Sequence, residues 1–172
     1  MDLIANTLTA RLDLETVIRK LDLRPLDPEG GYFARTFLSS HEQEFWMGRR
    51  SVVSSIYYLV TPETYSMLHR LQSDEIYHFY LGDPLELHEV DTVNRHRSFI
   101  LGQDLVRGQR PQAVIPAGSW QASRSVGATF GFSLVGTTVA PGFDFRDFEL
   151  MQRSQFSRWP DDLREKLGGF IK

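Results

Sequence analysis

A chain of 172 residues with 41% apolar and 12% aromatic content can bury one substantial core and has little left for a second, so a single domain over 1–172 is expected. A net charge of -3, a pI near 5.9 and no basic cluster beyond pairs such as Arg49-Arg50 exclude a phosphate-backbone footprint, so nucleic acid is not an expected partner. The absence of cysteine removes disulfides, thiolate metal sites and cysteine nucleophiles together.

Met1 to Leu8 carries Asp2 and neither a basic leader nor a sustained apolar run, so no signal peptide or membrane span is expected and the cytoplasm is the expected location. Leu14, Val17, Ile18 and Leu21 recur at helical spacing behind a capping Asp13, which predicts a helix over 13–21. Pro25 and Pro28 stop it. After Gly30-Gly31 the period changes to two, predicting strands at Tyr32–Phe37, Val52–Val60, Met67–Leu71, Ile76–Leu81 and Leu85–Val90. Further strands are predicted at Ser98–Leu101, Ala113–Ile115, Trp120–Ser123, Thr129–Val135 and Phe143–Leu150. Roughly ten short strands with no helix between them define an all-β antiparallel sandwich or barrel over about 32–150 with short flanking helices. Pro160-Asp161-Asp162 opens, and Gly168-Gly169 closes, a short helix over about 160–167.

Two motif blocks lie inside this β region. His69-Arg70-Leu71 is followed after three residues by Glu75 and seven further on by Gly82; the second block is Pro116-Ala117-Gly118-Ser119-Trp120-Gln121. Residues i and i+2 of one strand share a face, and a tight turn brings the next strand's carboxylate to the same depth. His69, Leu71, Glu75 and Gln121 are therefore expected to converge.

These blocks resemble the cupin superfamily, whose first block carries His-x-His and a Glu and whose second is Pro-x-Gly-x-x-His. Here Leu71 stands at the second imidazole and Gln121 at the third, so two of the four ligand positions survive. Three longer segments are similar to one group of uncharacterised single-domain cupins: Pro28-Glu29-Gly30-Gly31-Tyr32-Phe33, Ser73 to Gly82, and Val139 to Leu150. The resemblance implies a double-stranded β-helix, or jelly roll, paired as a homodimer, and a kinship with sugar epimerases, isomerases and seed-storage proteins.

Three functional readings follow. In the first, the lumen binds a small polar metabolite such as a sugar or sugar nucleotide, and His69 acts as base while Glu75 accepts from its other ring nitrogen and orients it. Tyr57, Tyr65 or Tyr77 is then the acid of an epimerase or isomerase. In the second, a binding module without turnover, Gln121, Trp120 and Arg70 recognise the ligand. In the third, His69, Glu75 and Gln121, joined by His78, hold a divalent metal loosely; with so few N and O donors no metal is the expectation. Trp120 and Tyr77 are candidates to stack on a ring, and Arg70, Gln112 and Ser54 to line the pocket. Asp144 is the polar residue of the late segment most worth testing. Strand parity places His78 outside the lumen, and Glu29 reads as a turn or dimer contact. No phosphate loop, nucleophile elbow or dinucleotide fingerprint occurs.

Overall fold

The computed structural model describes residues 12–46 and 48–171; the N-terminal segment read for a leader lies outside them. Helix α1 (Leu14–Lys20) begins where Asp13 accepts a 2.7 Å hydrogen bond from the Thr16 amide. Thirteen strands follow: β1 (Arg24–Pro25), β2 (Tyr32–Leu38), β3 (Glu42–Phe45), β4 (Gly48–Ser51), β5 (Ser54–Val60), β6 (Ser66–Arg70), β7 (Asp74–Gly82), β8 (Leu85–Val90), β9 (His96–Leu101), β10 (Gln112–Ile115), β11 (Trp120–Ser125), β12 (Ser133–Ala140) and β13 (Glu149–Leu150). Two short helices, α2 (Arg153–Phe156) and α3 (Asp161–Leu167), and a 3-10 turn at Gly168–Phe170 end the described chain.

The strands form a six-stranded sheet, ordered β1-β2-β5-β12-β7-β10, facing a five-stranded sheet, β13-β6-β11-β8-β9, with β3-β4 as a separate hairpin. All ladders between named strands are antiparallel, as the jelly roll requires. Period-two alternation sorts the side chains into three cores. Between the sheets, Tyr58, Val60, Tyr77, Leu85, Leu87, Ile115 and Val135 fill the lumen at one end. Outside the six-stranded sheet, Leu59, Phe132 and Leu134 are covered by Val17 of α1. Outside the five-stranded sheet, Leu68, Val90, Trp120 and Ala122 are covered by Phe156, Leu163, Leu167 and Phe170.

Two predicted strands are displaced. The strand expected over Thr129–Val135 runs from Ser133 to Ala140, because the Asp83 carboxylate takes the amides of Thr129, Phe130 and Gly131 at 2.8–3.1 Å and folds them into a turn. The strand expected over Phe143–Leu150 is mostly a 3-10 turn at Phe145–Asp147, closed by Asp144 accepting from the Arg146 amide, with only Glu149–Leu150 paired to β6. The β3-β4 hairpin was not predicted, since Glu42-Gln43-Glu44-Phe45 has no apolar alternation. Arg50 of β4 forms a buried ion pair with Asp147, tying that hairpin to the 3-10 turn.

Candidate functional site

The lumen is open at the end away from its packed core. A cleft of about 90 Å³ lies between β2, β5, β6, the turn before β2 and the segment from Phe143 to Phe148. Its walls are apolar: Leu26, Phe33, Ile56, Leu71, Val139, Phe143 and Phe148. Its polar lining includes Glu29, Ser54, Tyr58, His69, Glu75 and Thr137.

His69 is 2% exposed, inside the strand register that pairs it with Gln121 on one side and Leu150 on the other. Its ring stacks on Phe148, with centroids 5.2 Å apart and planes 24° from parallel. Nδ1 lies 2.8 Å from the Met67 carbonyl, which can only accept, so Nδ1 carries the hydrogen. In the neutral ring, Nε2 then holds the lone pair. The nearest carboxylate oxygen to Nε2 is Glu29 Oε1, at 3.9 Å.

Glu29 arrives by a backbone device. Gly30 has φ +106°, and a Cβ there would stand 2.2 Å from the Tyr65 carbonyl oxygen, so only glycine lets this turn lie against the approach to β6. The Met67 amide then donates to the Glu29 carbonyl at 2.9 Å, and Ser66 Oγ donates to Glu29 Oε1 at 2.8 Å. The turn residue of the sequence reading is thus a cleft residue. Its placement depends on a strand far along the chain, which local turn chemistry does not reveal.

Glu75 is 6% exposed on β7 and accepts a 2.7 Å hydrogen bond from Gln121 Nε2. Burial pushes its pKa up, against the opposing pull of His69. Glu29, near enough to add repulsion, raises it further, while hydrogen bonds from Thr137 and Gln121 draw it down. Gln121 Oε1 is buried without a partner. Tyr58, across on β5, donates to the Gly30 carbonyl at 3.0 Å, and burial followed by Glu29 pushes its ionisation well above the ordinary phenol range. It remains a hydrogen-bond donor at any ordinary pH.

The expected convergence of His69, Leu71, Glu75 and Gln121 is present, with one change of partner. The His69 ring nitrogen expected to donate to Glu75 is held by Met67, and Glu75 is held by Gln121. Ser54 lines the cleft, though its hydroxyl accepts from the Phe143 amide at 2.9 Å. Other candidates lie elsewhere. Trp120 neighbours Gln121 and therefore points to the opposite face, into the core beneath α2 and α3, where the Arg70 guanidinium sits 4.6 Å from its ring centroid. Arg70 also pairs with Glu149 at 2.6 Å.

His78 points out, as parity predicts, and meets Gln112 across the strand pair at 3.2 Å, so neither enters the lumen. Tyr77 faces inward but is locked in the closed end of the lumen, out of the cleft lining. Asp144 is bound to Arg146 at 2.6 Å and to its amide at 2.9 Å, a structural cap that holds its carboxyl down at about 2. Among the expected acids, Tyr57 packs outside the six-stranded sheet and Tyr65 against Phe170. Tyr58 is the tyrosine in the cleft; a parity count along β5 from Ser54 would have selected it over Tyr57.

A metal centre of the family's usual kind does not fit these residues. Leu71 presents hydrocarbon where an imidazole would donate, Gln121 directs its amide N–H to Glu75, and no group of three His, Asp or Glu side chains among the described residues is arranged to hold an ion.

A jelly-roll barrel of two antiparallel sheets, closed at one end and carrying a His–Glu–Gln cluster where the motif blocks meet, is a cupin. The family described as Cupin superfamily (DUF985) matches residues 15–151, and the chain belongs to it. An uncharacterized protein of Saccharomyces cerevisiae is 29% identical over 154 residues, covering 81% of this chain and 73% of its own. A hypothetical protein from Leishmania major superposes with TM-score 0.85 at 34% identity, covering 93% of this chain and 99% of that one. Protein SO0799 from Shewanella oneidensis gives TM-score 0.85 at 30% identity, covering 94% and 98%. These relatives bring a fold and no stated reaction.

Proposed function

We propose that the open cleft binds a small metabolite and that His69 Nε2 takes a proton from it, in a metal-independent isomerisation or epimerisation. The observation that carries this reading is the fixed tautomer: the Met67 carbonyl holds the Nδ1 hydrogen, which leaves a basic lone pair on a buried ring lining an apolar-walled cleft. In the reaction, a C–H next to a carbonyl gives its proton to Nε2 and its electron pair to the enolate. In isomerisation the imidazolium returns that proton to the adjacent carbon; in epimerisation Tyr58 delivers its phenol proton to the opposite face, and the imidazolium then gives its proton to solvent while the phenolate takes one back. Tyr58, held protonated, is the acid of this scheme, and Glu29, at 3.9 Å, is the carboxylate that stabilises the imidazolium. Glu75 keeps the shape of the floor through Gln121.

The test is solvent-deuterium incorporation into metabolites recovered from the protein, compared with His69→Gln. The expected result is exchange that falls about a hundredfold or more in the variant, the range of general-base contributions. Equal exchange in both proteins contradicts the catalytic reading.

One observation favours a second reading, a binding module without turnover. Glu29, Glu75 and His69 each already hold a hydrogen bond to a protein neighbour, as they would if the floor were built for recognition. Bound metabolite recovered unchanged and unlabelled, with a raised melting temperature, distinguishes it. Both readings include a homodimer, supported by exposed Phe37, Leu38, Trp46 and Phe145, which are 49–75% exposed. A sedimentation coefficient of a monomer at micromolar concentration would contradict it.

A further inference from the structure

The proposal that the cleft binds a small molecule leaves its chemical class open, and the polar groups at its two ends narrow it. At the floor, the acceptors dominate. His69 Nε2 bears a lone pair, and Glu29 Oε1 is 3.9 Å away, so the ligand end that fits between them brings a hydrogen, from a hydroxyl or an amino group.

At the mouth the sign reverses. Arg35 lines the cleft, and among the described residues no other lysine or arginine does. It stands two residues beyond Phe33 on β2, on the same lumen-facing side, and the strand register shifts immediately after it, between Arg35 and Phe37. A bulge of this kind re-aims a side chain. Arg35 makes no ion pair with any acid among the described residues, Asp27 on the same rim included. The other arginines near the cleft are engaged: Arg50 with Asp147, Arg70 with Glu149, Arg146 with Asp144. A guanidinium beside apolar walls with its five N–H donors uncommitted is suited to a carboxylate or a phosphate, which it can grip through two parallel bonds.

We infer that the ligand is a small bipolar molecule: a hydroxyl or amino head on the Glu29–His69 floor, an apolar or ring-shaped body between Phe33, Ile56, Phe143 and Phe148, and an oxyanion at Arg35. This rests on the cleft being a binding site. It holds whether or not a reaction follows.

The probes are para-hydroxybenzoate, para-hydroxyphenylacetate and the next longer hydroxyaryl acid, each paired with its primary amide and with the acid lacking the hydroxyl, plus phenyl phosphate as the phosphate arm. Binding to the full chain is measured by calorimetry in low salt. At least one acid is expected to bind about tenfold or more tightly than its amide, a gap that closes in Arg35→Met, while Glu29→Gln removes the preference for the hydroxyl-bearing compound. Arg35 is exposed, so the variant is expected to keep the wild-type melting temperature, which separates a lost contact from a lost fold. Amides that bind as tightly as acids, or an acid preference that survives Arg35→Met, overturn the inference and leave the cleft standing as a neutral-ligand site. Failure of every acid, amide and phosphate to bind the wild-type chain overturns the inference together with the cleft reading on which it rests.

Discussion

Glu75 shows how one buried residue shapes the pH behaviour of the fold. Burial outweighs the attraction of His69, so its folded pKa lies above the ordinary carboxyl value of 4.5. Between those two values the folded chain holds a proton that the unfolded chain releases. Its contribution is therefore most favourable below about 4.5 and declines as pH rises through the folded value. Glu75→Gln removes this dependence: relative to wild type, its melting temperature is expected to improve from pH 4 to pH 7. A difference that is flat across that interval would mean that Glu75 is not held up by burial. Asp83 is a second buried acid, and its three amide contacts make the turn before β12. Asp83→Ala removes the acceptor of those amides and is expected to cost about 1.5–3 kcal/mol in urea unfolding, the range for hydrogen bonds to a charged group.

At the level of elements, the hairpin β3-β4 and the 3-10 turn at Phe145–Asp147 share the Arg50–Asp147 pair, and the same segment sets Phe148 on the His69 ring. Asp147→Ala is expected to destabilise by about 1.5–3 kcal/mol, the range for hydrogen bonds to a charged group, because it removes the buried carboxylate that pairs with Arg50. Chemical denaturation measures it; a loss below about 1 kcal/mol would mean that water reaches the pair. On the far side of the barrel, His88 Nδ1 lies 3.0 Å from His96 Nε2, under Phe170. Burial, ahead of their other neighbours, depresses both pKa values. For His88 the opposing influences are Glu86, which raises, and His96 and Arg124, which lower; for His96, Lys166 lowers while Asp162 and Glu86 raise. The unfolded histidines take protons that the folded pair resists, so stability falls as pH drops below about 6.5 toward the folded values. Lower protection of α3 and the C-terminal turn near pH 5.5 than near pH 7.5 is expected in hydrogen exchange once the pH dependence of the intrinsic rate is divided out, and a His88→Phe chain should lose most of that difference.

Legibility in the sequence followed the same line between local and distant causes. β8 was readable to the residue because Leu85 and Leu87 alternate with Glu86 and the run is bounded by Gly82-Asp83-Pro84 before it and Asp91 after it. β12 and the late segment were misplaced because their limits are set by Asp83 and by Asp144, whose acceptor roles depend on chain neighbours that a period count ignores. In the site, His69, Glu75 and Gln121 were readable from motif spacing. Glu29, Arg35 and Phe148 were not, and Tyr58 was readable only by a parity count along β5, since these residues enter the cleft from β2, β5 and the loops, where no motif marks the lumen side.

The whole molecule is a barrel with cores on both outer faces and a lumen packed at one end, so that the cleft at the other end costs the fold little of its buried apolar surface. No helix among the described residues is long and apolar enough to cross a membrane. The proposed chemistry rests on the His69 ring presenting a bare Nε2 to this open end. Long-range proton–nitrogen correlation spectra of the 15N-labelled protein near neutral pH measure it directly. His69 is expected to show its hydrogen on Nδ1 and a bare Nε2 whose resonance moves when para-hydroxybenzoate is added. A hydrogen found on Nε2, or a ring unmoved by every ligand that binds, would contradict it.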